Sequence, residues 1–496
     1  MRLHIICFSI VTVSLFTGCG FRSHRDLHRS PRMSYLDRVT QSPDEDFSFR
    51  LAKTHDLGDH AVGYTLELHS QTWRNAEEVS HPLWTHNLQI VCPKQATGQT
   101  AMLLISGGSR KDQSDGPLDA TLLQLAEATG SVCVLLPNVP NQPLAIIDRD
   151  DPQGTQRRYE DDLIAQSWVR AIDERDPDWV VQTAMVKSAI AAMDATQAFL
   201  NTEEAGSIQI DDFVVTGASK RGWTTWLTAA TDDRIRAIMP IVIDTFNMPE
   251  TLQHHWGAYG HWSPAIADYT SRDLFKAFET RRGNLVRNNV DPYLYRERFT
   301  MPKFLLNSAG DQYFLPDSTS LYLDHLPGET RLRYMPNTDH DLDFDGDAQP
   351  QGHQSATESL VGFYKAVEND RKLPKLSWTH AIEIDLPEKR ARGTSRHAHL
   401  SVKCDTRPTR VTLWQAYNPD GRDFRQSTIG NAWVPTPLTP TSDNRAAGMI
   451  DMPERGFRAY FIEAIFPVRG QQESVTFTTP VFVVPDELPY KDKPIR

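Results

Sequence analysis

The chain has 496 residues, with 52 basic and 64 acidic side chains and a formal net charge of -12. This is too long for one ordinary domain and implies two or three, and 39% hydrophobic with 23% charged residues excludes a globally disordered chain. The acidic balance also excludes the basic stripe that a nucleic-acid partner requires, so no nucleic acid is expected.

Residues 1–19 read as a bacterial export leader. Met1-Arg2-Leu3-His4 is a short basic start, 5–16 is an apolar run, and Thr17-Gly18 stand directly before Cys19. The small residues before Cys19 resemble a lipobox, so lipidation of Cys19 is expected. That implies an exported protein of the periplasm or cell envelope, anchored to a membrane through Cys19; simple cleavage and release is the alternative. The apolar run is too short to span a bilayer. Residues 20–45, with Arg22, His24, Arg25, His28 and Arg29, read as a polar tether. Three cysteines remain beyond Cys19, and an odd count is no disulfide framework. Cys92 and Cys133 either pair across neighbouring strands or serve as small buried hydrophobes.

From 46 to 375 strands alternate with helices. Residues 64–71 and 84–91 alternate as half-buried strands. Residues 100–105, 131–136, 213–215, 238–243, 303–307 and 332–335 are short apolar runs of buried strands. Residues 161–172, 184–199, 223–230 and 354–367 carry helical spacing. This alternation predicts an α/β protein with a mostly parallel central sheet covered on both faces. Residues 244–302 form an insertion rich in aromatics and histidine, expected as a cap. It includes His254, His255, Trp256, His261 and Trp262. After the linker around Pro374, short strand-like runs with turn residues between them predict a β-sandwich domain over 376–496.

The chemistry converges on one sheet edge. Gly217-Ala218-Ser219-Lys220-Arg221-Gly222 stands between a predicted strand and a predicted helix, as a nucleophile elbow does. Asp311 and His340 each follow an apolar run, and the chain order Ser, Asp, His is that of the α/β-hydrolase fold. Ser219 is the expected nucleophile, His340 its base, and Asp311 the orienting acid, preferred to Asp317; His353 is a weaker base. The expected oxyanion donors are the backbone N–H of Lys220 and that of Gly108 or Ser109. The elbow departs from the usual pattern, because Arg221 holds its second glycine position and Gly222 comes one later. Lys220 and Arg221 either face the pocket and attract an anionic group or pair with acids on the rim. Trp256 and Trp262 are expected substrate contacts. Asp341, Asp343, Asp345 and Asp347 match the opening of an EF-hand loop, but Gly352 holds the position of the closing Glu, so calcium is a secondary expectation. No other cofactor is expected.

Four blocks carry a family resemblance. They are Arg158-Tyr159-Glu160-Asp161-Asp162-Leu163-Ile164-Ala165, the elbow through Trp223, Tyr259-Gly260-His261-Trp262-Ser263-Pro264, and 305–314 around Asp311. With them the chain resembles the PhoPQ-activated pathogenicity-related protein family from about residue 45 to beyond 420. The resemblance implies an exported α/β-hydrolase fold with Ser219 at the elbow, and it names no substrate. Two functions stay open: a serine hydrolase that cleaves an ester or amide bond of a small molecule or peptide through an acyl-enzyme, and a non-catalytic exported interaction or signalling protein.

Overall fold

Runs with two-residue periodicity become a nine-stranded sheet in the computed structural model, which describes residues 33–96, 98–111, 116–342, 354–385, 395–470 and 473–494. Its strands are β1 (Ser48–Leu57), β2 (Ala61–Thr72), β3 (Leu83–Pro93), β4 (Thr100–Ile105), β5 (Cys133–Leu136), β6 (Asp212–Ala218), β7 (Ile235–Ile241), β8 (Lys303–Ser308) and β9 (Thr330–Met335). The spatial order is β1-β2-β3-β5-β4-β6-β7-β8-β9. The first three strands and the β3–β5 pair are antiparallel, and everything from β5 to β9 is parallel.

Helices cover both faces. Before the insertion come α1 (Tyr35–Gln41), α2 (Ala120–Thr129), α3 (Glu160–Glu174), α4 (Val181–Leu200) and α5 (Lys220–Ala229). The insertion holds α6 (Met248–Tyr259), α7 (Ala267–Thr270), α8 (Leu274–Ala277) and α9 (Gly283–Val290); α10 (Ala356–Glu368) follows it. Successive strand residues point to opposite faces. Leu103 and Val215 therefore join the core of α3, α4 and α5, whereas Met102 and Val214 join that of α2 and α10. The same rule settles the cysteines. Val91 pairs with Cys133, so Cys92 faces away from Cys133, and both are free thiols. Burial pushes each up to about 12. The result is the α/β-hydrolase fold.

One boundary differs from the sequence reading. The leader, Cys19 and the tether up to residue 32 lie outside the described residues, but 33–45 is not all tether. Ser34 and Asp37 form a capping box that starts α1, Leu36 is buried, and Asp37 pairs with Arg298 at 2.7 Å. A short helix with one apolar anchor is hidden inside a polar average. At the other end come β10 (Leu376–Asp385), β11 (Ser395–Cys404), β12 (Arg410–Asn418), β13 (Val434–Leu438), β14 (Arg445–Asp451), β15 (Phe457–Pro467), β16 (Ser474–Thr478) and β17 (Phe482–Val484). They form two antiparallel sheets, β10-β11-β14 and β13-β12-β15-β16, with β17 on β15. Leu400 and Leu413 share the core between the sheets. The sandwich is docked onto the rest, because the Tyr334 N–H of β9 donates to Thr478 of β16 at 3.1 Å, and Met33–Arg496 is one compact unit. Among the described residues no helix is long and apolar enough to cross a membrane.

Candidate active site

Ser219 occupies the turn between β6 and α5 with φ 57° and ψ -125°. A non-glycine residue held there stores about 1–3 kcal/mol of backbone strain and presents its side chain clear of the sheet. Strand and helix cross tightly. A Cβ on Gly217 would sit 2.9 Å from the Arg221 backbone, and one on Gly222 would sit 2.9 Å from the Gly217 carbonyl. Gly222 thus supplies the second glycine one position late. Arg221 is tolerated because its side chain leaves the crossing and runs beneath Gly107, where a Cβ would lie 2.7 Å from its guanidinium.

Of the two roles open to it, Arg221 takes pairing with an acid and not a substrate contact. It is buried, its Nε donates to the Val139 carbonyl at 2.6 Å, and its two terminal nitrogens grip Glu160 at 2.7 and 2.6 Å. Burial pushes the Glu160 carboxyl up, but Arg221 and then Lys220 outweigh it and bring it down to about 2. Lys220 Nζ lies 3.1 Å from Glu160 and 3.0 Å from Asp161. Asp162 pairs with Arg158 at 3.0 Å. The three successive acids opening α3 each hold a cation, and they also suit the positive end of that helix. The two elbow cations are therefore neutralised within the protein.

The three distant side chains meet. The Ser219 hydroxyl donates to His340 Nε2 at 2.8 Å, and His340 Nδ1 donates to Asp311 Oδ2 at 2.7 Å. The other oxygen of Asp311 accepts the Tyr313 and Phe314 N–H groups at 2.7 and 3.3 Å, which sets the rotamer of the carboxylate. A carboxylate on Nδ1 leaves Nε2 as the basic nitrogen, aimed at the serine. Asp317 stands elsewhere, in a buried cluster with His254 (3.0 Å) and Arg422 (2.7 Å). Burial pushes its carboxyl up, yet His254 and Arg422 hold it well below the usual carboxylate range. A further carboxyl, Asp244, is buried behind β7. Burial pushes it up to about 7 against hydrogen bonds from Tyr322 and Asn307, and the Asp311 charge adds to the rise. Asp341 is described, whereas Asp343, Asp345, Asp347 and His353 lie outside the described residues.

The loop carrying Gly108 follows β4, which pairs with β6 up to Ile105 opposite Gly217, so loop and elbow are neighbours. Gly108 has φ +122°, a conformation that side chains rarely adopt. Gln142 holds this loop. Its Nε2 donates to the Gly108 carbonyl at 2.9 Å and to Glu160, and its Oε1 accepts the Glu160 N–H at 2.8 Å. Elbow, Arg221, Glu160, Gln142 and Gly108 form one continuous linkage. Composition and spacing gave no sign of Gln142 or Glu160 in this role, because the link exists only across three loops.

A cavity of about 90 Å³ opens beside Ser219 and Lys220, walled by Trp223, Ile243, Met248, Leu252 and Phe275 among others. The insertion therefore does border the site, but not through the tryptophans expected. Trp256 and Trp262 pack on each other with ring centres 5.2 Å apart, and Trp256 donates to the Lys493 carbonyl at 3.1 Å. Neither lines the cavity. Trp256 packs the insertion against the C-terminal segment, and Trp262 packs within the insertion on His255, Trp256 and Phe275. His255, one helix position away, does line it; Nε2 of its ring accepts the Ser263 N–H at 3.1 Å.

Two buried histidines give this region an acid sensitivity. His86 donates from Nδ1 to the Pro137 carbonyl at 2.8 Å, and burial brings its pKa from 6.5 to about 4. Burial, followed by the Arg425 charge, brings His255 down to about 3. Unfolded histidines bind protons below about pH 6.5 and these two do not, so their contribution to stability falls as pH drops from about 6.5 toward 3. The expected slope is on the order of 1 kcal/mol per pH unit for each. Asp244 and Asp291, pushed by burial up to about 7 and about 6, gain stability over the same range. The histidine part is therefore read as the difference in urea midpoint between the native protein and His255→Gln at pH 7.5 and 5.0; a difference that does not change with pH would contradict the neutral, buried assignment.

The C-terminal sandwich braces the site. The Gln426 N–H donates to the Gly310 carbonyl at 2.9 Å, and Gln426 Nε2 donates to the Asn337 carbonyl at 2.9 Å. One residue of the sandwich thus ties together the loops bearing Asp311 and His340. Arg425 reaches Ser263 at 3.2 Å, and Ser263 donates to the Gln312 carbonyl at 2.7 Å.

Solved structures that superpose on the chain include acetyl xylan esterase 1 from Thermoanaerobacterium sp. (14% identity, TM-score 0.42, 62% of this chain and 87% of that one). Another is a glucuronoyl esterase from Solibacter usitatus (13%, TM-score 0.36, 62% and 86%). Overlaps this loose transfer neither reaction nor substrate. Sequence similarity is stronger: the chain is 33% identical over 474 residues to autocrine proliferation repressor protein A of Dictyostelium discoideum, covering 92% of this chain and 91% of that protein. Residues 36–425 match the model of the PhoPQ-activated pathogenicity-related protein family, and the chain belongs to that family.

Proposed function

We propose that the protein is a serine hydrolase that cleaves a carboxylic ester or amide through an acyl-enzyme. One observation carries this reading: the unbroken line from the Ser219 hydroxyl through both nitrogens of His340 to Asp311, at 2.8 and 2.7 Å. Ser219 Oγ attacks the carbonyl carbon while His340 Nε2 takes its proton, and Asp311 stabilises the imidazolium that forms. The oxyanion is held by the Lys220 N–H, at the first position of α5, and by the N–H of Gly108 or Ser109. The His340 proton passes to the departing alcohol or amine, which leaves Ser219 acylated. Water then repeats the sequence, giving its proton to His340 and releasing the acid. Protein side chains and backbone suffice for every step.

The test is covalent labelling with a fluorophosphonate probe, comparing the native protein with Ser219→Ala. Native labelling that disappears in the variant is the expected result. No labelling of a folded native protein would favour the other reading, an interaction protein that keeps the hydrolase shape. That reading draws on the likeness to a protein named as a proliferation repressor.

A further inference from the structure

The cavity beside Ser219 opens on the side of the imidazole. Tyr313 and Phe314 line it, and their rings pack on that of His340 with centres 4.4 and 6.1 Å apart. Gly108 and Ser109, which offer the second oxyanion donor, do not line it. His340 Nε2 meets the cavity at the Ser219 hydroxyl, 2.8 Å away. In acyl transfer this nitrogen protonates the departing atom, so the group attached to that atom emerges on the imidazole side. A cavity there receives the leaving group.

Most of its wall is apolar, from Trp223, Ile243, Met248, Leu252 and Phe275. Several of its polar groups are engaged within the protein. Lys220 is held by Glu160 and Asp161, and the Tyr269 hydroxyl donates to Asp161 at 2.7 Å. The Thr251 hydroxyl donates to the Phe246 carbonyl at 2.6 Å, and the buried His255 is neutral. A carboxylate or ammonium group entering here would lose its water without meeting an unpaired charge. Thr245 differs from these. It lines the cavity, and its buried hydroxyl has no hydrogen-bond partner among the described residues. Buried hydroxyls are nearly always bonded, because leaving one unpaired costs stability. An uncharged oxygen on a bound molecule would satisfy this one. The volume is about 90 Å³. A cavity of roughly 150 Å³ holds a benzene ring, so this one takes about four non-hydrogen atoms.

Resting on the acyl-enzyme reading, we propose that this cavity binds the leaving group of the substrate, a short uncharged chain carrying one further oxygen, and that the Thr245 hydroxyl selects that oxygen by donating a hydrogen bond to it. Thr245 is then a specificity-determining residue. One such bond between neutral groups should favour the oxygen-bearing chain by about tenfold in kcat/KM over a chain with methylene in its place.

The experiment uses two matched pairs of esters. Butyl acetate and 2-methoxyethyl acetate differ by one oxygen in the alcohol; ethyl pentanoate and ethyl 3-methoxypropionate differ by one oxygen in the acid. Release of acid is titrated for the native protein, Thr245→Val and Thr245→Ser, and each kcat/KM is divided by the alkaline hydrolysis constant of the same ester. Fluorophosphonate labelling and the urea midpoint are measured on each protein. The native protein should prefer 2-methoxyethyl acetate to butyl acetate by about tenfold and show no such preference in the acid pair. Thr245→Val should bring the alcohol ratio close to one, and Thr245→Ser, which keeps a hydroxyl, should retain most of it. The urea midpoint of Thr245→Val should be no lower than native, because the hydroxyl has no partner to lose. Equal native rates in the alcohol pair overturn the proposal, as does a preference that survives Thr245→Val or one that appears in the acid pair instead. A lowered midpoint in Thr245→Val also overturns it, by showing that the hydroxyl is bonded within the protein. So does labelling of Ser219 with no ester hydrolysed. Failure of native Ser219 to label would instead remove the serine-hydrolase reading itself, and the leaving-group site with it.

Discussion

Asp311→Asn is expected to lower kcat on any ester the protein turns over by about 10⁴-fold, with little change in the fold. The reason lies in the two sides of this carboxylate. One oxygen accepts two backbone N–H groups, from Tyr313 and Phe314, and the other faces His340 Nδ1. An asparagine must keep its carbonyl oxygen on the backbone donors, so its NH₂ is turned toward the imidazole. Nδ1 then has to accept, and the ring proton moves to Nε2. A protonated Nε2 cannot take the proton of Ser219, although every heavy atom stays in place. The measurement is kcat for native and variant with unfolding followed in parallel. A loss under tenfold in a folded variant would show that another group orients His340.

Arg221→Ala is expected to cost about 3 kcal/mol of stability. Removing one partner of a buried ion pair leaves the other charge uncompensated, and Arg221 gives up two bonds to Glu160 and one to the Val139 carbonyl. The figure sits at the low end of the usual range because Lys220 stays 3.1 Å from Glu160 and solvent partly reaches that carboxylate. The same substitution loosens Glu160, and with it Gln142 and the Gly108 carbonyl. Since losing one oxyanion donor costs about 10²–10³ in kcat, a displaced loop should lower kcat with KM little changed. Gln142→Ala separates the two effects. It breaks the loop end of the linkage and keeps the ion pair, so kcat should fall with only a small change in the urea midpoint. Unfolding curves and the kcat–KM split check both variants. A stability change within about 0.5 kcal/mol for Arg221→Ala would mean that Lys220 alone satisfies Glu160.

Much of this architecture was legible in one dimension, because strand periodicity and turn chemistry are local. The runs at 100–105, 303–307 and 332–335 became β4, β8 and β9 within two residues at either end. The elbow was visible because a strand-to-helix crossing demands small residues at fixed offsets, and even the late glycine at 222 has a direct geometric reason. Elements with weak local signals were missed. The helix α1 was lost in a polar stretch, while β13, with its two prolines, and the half-exposed β14 lack a sustained apolar pattern.

The sequence by itself determined the order Ser219, Asp311, His340 and the sheet edge they share, since each residue follows its own strand closely and strand ends line up in a parallel sheet. Only the tertiary structure decided what surrounds them. It turned Arg221 inward to Glu160, because that acid arrives from a helix some sixty residues away in the chain. It set Trp256 against the C-terminal segment and Trp262 inside the insertion, and it placed Leu252 and His255 on the cavity instead. It also brought Gln426 across from the sandwich to brace the Asp311 and His340 loops. Aromatic and charged side chains are equally at home in a core, an ion pair or a binding wall. Which of these each becomes depends on partners distant in the chain, and no local pattern encodes that.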